Sequence, residues 1–212
     1  MEQGQINMYS TAGKALMTLV EQDSTIVNIL DVGSWNGLGT TLCCVLGCIG
    51  RVEYKPVNII AIEANQEFFE KGLKAWTNRP GKEMVHFYKG RIAESMMTEA
   101  EIRAHPQFTP DNPHFNQWYA SDVKIFNESP LLNLQGQIDL AILDGGEYCG
   151  FQDYMTVLKF KPTYLVLDDI VGMKNDRVLS HATQNGFTVV FRTAEKGGTV
   201  ILRRMYSILN SI

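Results

Sequence analysis

The 212-residue sequence has little that would staple a fold or hold it in a membrane. It has four cysteines. Three crowd into one apolar run, CCVLGC (Cys43, Cys44, Cys48), and the fourth is Cys149. That spacing lacks the paired C-x-x-C knuckles of a zinc site, and a chain of this length buries a full core without a disulfide. The cysteines read as small buried apolar residues, which fits a reducing compartment. No apolar run reaches transmembrane length, and the polar start MEQGQINMYSTAG has no signal-peptide core, so a cytoplasmic location and no membrane partner are expected. Positive charge is short as well. Lys and Arg number 19 against 23 Asp and Glu, and the net charge of −4 weighs against a nucleic-acid partner. Repeats and low-complexity tracts are absent.

What is present is an alternation of short β-rich runs with helix-like segments. The runs lie at 27–32 (VNILDV), 57–63, 84–89, 138–143, 164–167, 187–192 and 199–203. Segments 39–47 and 66–76 between them carry helical spacing, the latter with Phe69, Leu73 and Trp76 on one stripe. A helix is also expected at 12–22. Strands that alternate with helices predict an α/β, doubly wound, seven-stranded, mostly parallel sheet. The last two runs are joined by the turn-rich TAEKGG and predict a C-terminal antiparallel hairpin. The whole chain, 1–212, reads as one domain. A long insert at about 92–135, between the third and fourth strands, breaks the rhythm, and a connection this long is uncommon unless it is functional or disordered. Its aromatics (Phe108, Phe115, Trp118, Tyr119) favour an ordered piece with helices at about 93–104 and 115–126.

Two features carry chemistry at the start of the sheet. Asp31-Val-Gly33-Ser34-Trp35-Asn-Gly37-Leu-Gly39-Thr40 sits where the first strand turns into a helix. Such a loop brings backbone close to a ligand at a helix N-terminus. Glu63 ends the second strand, where an acid can accept hydrogen bonds from ribose hydroxyls. Loop and acid together favour nucleoside binding. The spacing D-x-G-x-x-x-G-x-G departs from the dinucleotide pattern G-x-G-x-x-G and lacks the glycine that clears room for pyrophosphate.

DVGSWNGLGTT and IIAIEAN resemble the first and second motifs of class I S-adenosylmethionine-dependent methyltransferases, which share the Rossmann-like sheet and its closing hairpin. The resemblance spans about 28–203. It implies that S-adenosylmethionine is the cofactor. Its methionyl part would lie against Asp31, Gly33, Ser34, Trp35, Gly37 and Gly39, with Thr40 reaching the carboxylate. Glu63, with Ala64 beside it, would hold the ribose, and Arg91, after the third strand, would contact adenine.

The fourth strand ends in Leu143-Asp144-Gly145-Gly146-Glu147-Tyr148 and the fifth in Leu167-Asp168-Asp169. Three aspartates converging on one rim repel unless protonated, solvated or shared by a cation. LDGGEYCGFQDY followed by LVLDDI is similar to a pattern in metal-dependent O-methyltransferases of the catechol and macrocin types. That resemblance implies Mg²⁺ held by Asp144, Asp168 and Asp169, orienting acceptor oxygens. Two alternatives stay open: a metal site, or an acidic rim bonded to backbone and cofactor. Catechol-type enzymes carry a lysine three residues after the first aspartate, where this chain has Glu147. Asp144 and Glu147 are the catalytic candidates, Glu147 as a general base. His105 and His114 flank a proline-rich loop without a visible partner. No N/D-P-P-Y/W loop follows the fourth strand, which weighs against methylation of nucleic-acid amines.

The expectation is therefore methyl transfer to a hydroxyl of a small molecule, with Mg²⁺ assistance and homodimerisation both open. The alternatives are an NAD(P)-dependent oxidoreductase and a non-catalytic S-adenosylmethionine-binding module.

Overall fold

A seven-stranded sheet forms the centre of the protein, with order β3-β2-β1-β4-β5-β7-β6. The strands are β1 (Asn28–Val32), β2 (Asn58–Glu63), β3 (Val85–Lys89), β4 (Leu140–Leu143), β5 (Tyr164–Asp168), β6 (Phe187–Thr193) and β7 (Thr199–Arg204). β1 pairs in parallel with β2 and β4, β2 with β3, and β4 with β5. β7 enters between β5 and β6 antiparallel to both, so the hairpin closes the sheet as its sequence predicts. The computed structural model describes residues 4–53, 55–109 and 115–205, and His114 lies outside them.

Helices cover both faces because the strands are apolar on both. One face packs α1 (Thr11–Gln22) and α2 (Thr40–Ile49) on Ile29, Ile59 and Leu140, and Cys43 and Cys44 are fully buried there. Ser10 caps α1 by accepting the Gly13 N–H. The other face packs Tyr154 and Val157 of α6 (Gly150–Leu158), and Val178 and Ala182 of α7 (Asp176–Gln184), on Leu30, Ala141 and Leu165. α3 (Gln66–Trp76) follows β2 and is capped by Asn65. Among the described residues no helix is long and apolar enough to cross a membrane.

The insert is ordered over its described part. It carries α4 (Glu99–Arg103) and α5 (Phe115–Glu128), which share a small core of Met97, Ile102, Phe115 and Tyr148. The helix expected at 93–104 is shorter than its sequence suggests. Thr98 and Glu101 form a reciprocal capping box that starts α4, while the Met97 N–H is drawn away to Tyr148 O at 2.9 Å. The return of the insert to the sheet is pinned by Ser129 Oγ donating to Ala64 O at 2.8 Å and by the Arg91 guanidinium donating to Phe126 O at 3.1 Å.

Candidate functional site

In a doubly wound sheet the carboxyl ends of the strands open where the connections part to either side. Here the β1–α2 loop, the end of β2, Gly90-Arg91 after β3 and Asp144-Gly145-Gly146 after β4 meet at that edge around a cavity of about 540 Å³. α5 closes it with Asp122, Ile125 and Phe126, and α6 contributes Asp153. The volume suits a small organic ligand.

The loop is built by backbone crowding. Gly33 has a φ of 81°, and a Cβ there would sit 2.1 Å from Asp144 O, so only glycine lets β1 and β4 end side by side. Gly33 and Ser34 both donate their N–H to Ile62 O. Trp35 is held at a positive φ of 51°, its N–H given to Glu63 Oε2 at 2.8 Å and its ring edge-on to Phe68. The second carboxylate oxygen of Glu63 accepts the Asn65 N–H at 2.7 Å. Burial raises the Glu63 pKa against these backbone donors and the Ala64 N–H, and the carboxylate keeps acceptor capacity for a ligand hydroxyl.

Of the residues expected to hold a cofactor, Gly33, Trp35, Glu63, Ala64 and Arg91 line the cavity. Asp31, Ser34, Gly37, Gly39 and Thr40 stand behind it. Asp31 is fully buried and takes hydrogen bonds from the Thr40 and Thr41 hydroxyls, so Thr40 is turned inward and away from any ligand carboxylate. Burial pushes the Asp31 carboxyl up to about 7. Gly37 and Gly39 are needed for protein contacts: a Cβ would meet Trp76 Nε1 at 2.5 Å and Ile6 O at 2.9 Å respectively. Arg91 spans the insert, its guanidinium donating to Ala93 O and lying over the Phe126 ring.

Two acids at the site were not singled out from the sequence. Asp122 lines the cavity from α5, and burial raises its pKa although it accepts the Glu147 backbone N–H. Asp153 lines it from α6, its pKa pushed by burial to about 7. Both lie on the apolar stripe of their helix, Asp122 in register with Phe115, Trp118, Tyr119 and Phe126, and Asp153 beside Tyr154 and Val157. A carboxylate at an apolar-periodic position is the signal that could have found them.

A second cavity, of about 680 Å³, adjoins the first across Asp122, Gly145 and Gly146. Phe108, Phe115, Trp118, Tyr148 and Met173 line it, and Glu147 faces it. Burial raises the Glu147 pKa, opposed by Lys174 and reinforced by Asp169 and Asp122. His105 is elsewhere engaged, its Nε2 3.4 Å from Asp176 Oδ2.

Asp144, Asp168 and Asp169 do converge, but the cation among them is the chain's own. Lys174 Nζ lies 2.8 Å from Asp144 Oδ1 and 3.8 Å from Asp169 Oδ2, with its side chain 8% exposed. Burial alone would lower the Lys174 pKa; Asp144, Asp169 and Asp168 outweigh it and raise the value, so the ammonium stays charged. Asp168 Oδ1 accepts the Thr199 hydroxyl at 2.7 Å. Among the described residues no three His, Cys, Asp or Glu side chains are grouped to hold a metal ion. Of the two alternatives open for this rim, the described residues do not support the Mg²⁺ site: an ammonium stands where the aspartates would meet a metal, and the donor set does not fit one.

No protein-family model and no curated protein matches the chain. Solved structures do. An O-methyltransferase from Bacillus cereus in complex with SAH superposes with a TM-score of 0.60 at 13% identity, over 92% of this chain and 81% of that one. A methyltransferase from Geobacter sulfurreducens gives 0.58 at 10% identity over 95% and 81%. The O-methyltransferase TomG from Streptomyces achromogenes, in complex with SAM, gives 0.57 at 14% identity over 94% and 82%. With the sheet order, the closing hairpin and these neighbours together, the chain has the fold of the class I S-adenosylmethionine-dependent methyltransferases.

Proposed function

We propose that the protein transfers a methyl group from S-adenosylmethionine to a hydroxyl oxygen of a small-molecule acceptor. The observation that carries this reading is the charge of the first cavity. Glu63, Asp122, Asp144 and Asp153 line it with Arg91, and Lys174 behind the wall is bonded to Asp144. An acid-rich wall favours a sulfonium and an ammonium and repels a pyrophosphate, which separates this cofactor from NAD(P). The SAM- and SAH-bound neighbours support the same choice.

The cofactor supplies a methyl carbon activated by a sulfonium. Glu63 holds the ribose hydroxyls with the lone pairs left over from Trp35 and Asn65. Phe68, Ile125 and Phe126 offer the apolar end for the base, and Gly33 and Gly145 bring backbone against the amino-acid part. The acceptor occupies the second cavity, among the rings of the insert. A hydroxyl acceptor there would give up its proton as it takes the methyl group, and Glu147, with Asp122 beside it, is placed to receive that proton. Asp144, tied to Lys174, positions the loop between the two cavities and is not itself the base.

Calorimetric titration with S-adenosylmethionine and with NAD⁺, on the natural chain and on Glu63→Ala, tests this. Micromolar S-adenosylmethionine binding that the variant loses is the expected result. NAD⁺ binding with no S-adenosylmethionine binding would overturn the reading.

A further inference from the structure

The acidic rim at the ends of β4 and β5 raises a question that methyl transfer alone does not answer: what balances three aspartates whose spacing in sequence suits a metal. We infer that Lys174 is a built-in cation that takes the place of a divalent metal at this rim, making the protein metal-independent.

Lys174 is delivered to the rim by its backbone. It lies in the turn between β5 and α7, and the backbone around it is clamped. Asn175, which precedes α7, is fully buried and donates its side-chain amide to Leu143 O at 3.1 Å and to Asp168 O at 2.5 Å, joining the ends of both strands. Gly150 packs so closely beneath that a Cβ would lie 2.0 Å from Lys174 O. The Lys174 backbone N–H is itself given to the Glu147 carboxylate. A chain held at these points projects its side chain into the rim, where the ammonium takes up Asp144 Oδ1 at 2.8 Å.

The position also excludes a second cation. Mg²⁺ requires oxygens at about 2.0–2.1 Å in near-octahedral array. Asp144 Oδ1 is already bonded to the Lys174 ammonium, and a divalent ion beside a buried ammonium is repelled in proportion to both charges. Asp168 has one oxygen committed to Thr199. The consequence reaches the acceptor. Without a metal to chelate, nothing at the rim demands two adjacent oxygens, and a single hydroxyl suffices.

The test reads metal rather than methyl transfer, so it stands or falls apart from the function proposed above. Free Mn²⁺ is followed by its electron paramagnetic resonance signal during titration of the natural chain, of Lys174→Met and of Lys174→Met/Asp144→Asn. The natural chain is expected to leave millimolar Mn²⁺ free, Lys174→Met to take up one equivalent, and the double variant to lose that uptake. One equivalent bound by the natural chain and lost in Asp144→Asn would overturn the inference. So would a folded Lys174→Met chain that takes up none, because the carboxylates would then not form a cation site at all. Should Lys174→Met fail to fold, Lys174→Gln, which keeps the length and a donor, replaces it, and uptake by the natural chain decides on its own.

Discussion

Glu63 accepts the Trp35 N–H at 2.8 Å, and through that bond the end of β2 holds the glycine loop after β1 in shape. Trp35 sits at a positive φ that a bulky residue rarely adopts, so the carboxylate both offsets that strain and presents its free lone pairs to the cavity. One residue thus builds the floor of the site and, under the proposed function, would contact the ribose placed on it.

Glu63→Gln should therefore behave differently from a simple loss of ligand contact. An amide can accept from only one of Trp35 and Asn65, and its NH₂ faces the other donor. S-adenosylmethionine affinity is expected to fall about ten- to a hundredfold, matching about 1.5–3 kcal/mol for a charged hydrogen bond, with Glu63→Ala at the stronger end. Calorimetry checks the affinity. A near-ultraviolet circular dichroism change at the tryptophans, seen without ligand, checks the loop.

Asp31 makes stability depend on pH in the sense opposite to an ordinary salt-bridged aspartate. Its folded pKa is raised by burial to about 7 from 3.8, so the folded chain binds a proton more tightly than the unfolded one. The stability this adds is complete below the unfolded value, declines as pH rises from about 4 to about 7, and is gone above that, a total of about 4 kcal/mol as an upper figure. Asp31→Asn keeps an acceptor for the Thr40 and Thr41 hydroxyls and removes the titration. Urea melts across this range should show the natural chain losing stability relative to the variant as pH rises. A constant difference would refute the assignment.

The parts of the site that were legible in the sequence are those set by local geometry. The loop from Gly33 to Gly39 and the acid at Glu63 announce themselves because a strand-to-helix turn and a strand end are short-range events, and the sheet brings them together by its ordinary parallel pairing. Thr40 donates to Asp31 in the structure, a contact hidden from the sequence because a hydroxyl at a helix N-terminus looks the same there whether it faces ligand or core. Asp122, Asp153 and Lys174 depend on where an insert helix, α6 and the β5–α7 turn settle against the sheet. That is tertiary packing, and only the polar residue on an apolar stripe hinted at the first two.

Gly33→Ala should be among the most damaging single changes. The new methyl would meet Asp144 O at 2.1 Å, at a φ that alanine resists. Strain of about 1–3 kcal/mol from the backbone is joined by overpacking of similar size. The midpoint of thermal unfolding is expected to fall and S-adenosylmethionine binding to weaken together, whereas Gly136→Ala, where a Cβ meets nothing within 4 Å, should leave binding intact and show only the cost of its positive φ.

In the proposed reaction, Glu147 and Asp122 separate proton removal from cofactor binding. Glu147 faces the second cavity, and its raised pKa brings it closer to the working range of a general base. Glu147→Gln should leave S-adenosylmethionine affinity unchanged while kcat falls about 10²- to 10⁴-fold, as for loss of a general base. In the natural enzyme kcat should rise with pH through a single ionisation lying above the usual 4.5 of a glutamate, because the base must be deprotonated to accept the proton. Asp122→Asn removes a neighbouring negative charge that raises this ionisation, so the limb of the profile should move to lower pH without disappearing. A profile unmoved by Asp122→Asn and still present in Glu147→Gln would assign the base to another group, and Asp153, which lines the cofactor cavity with a carboxyl near 7, would be the first to replace.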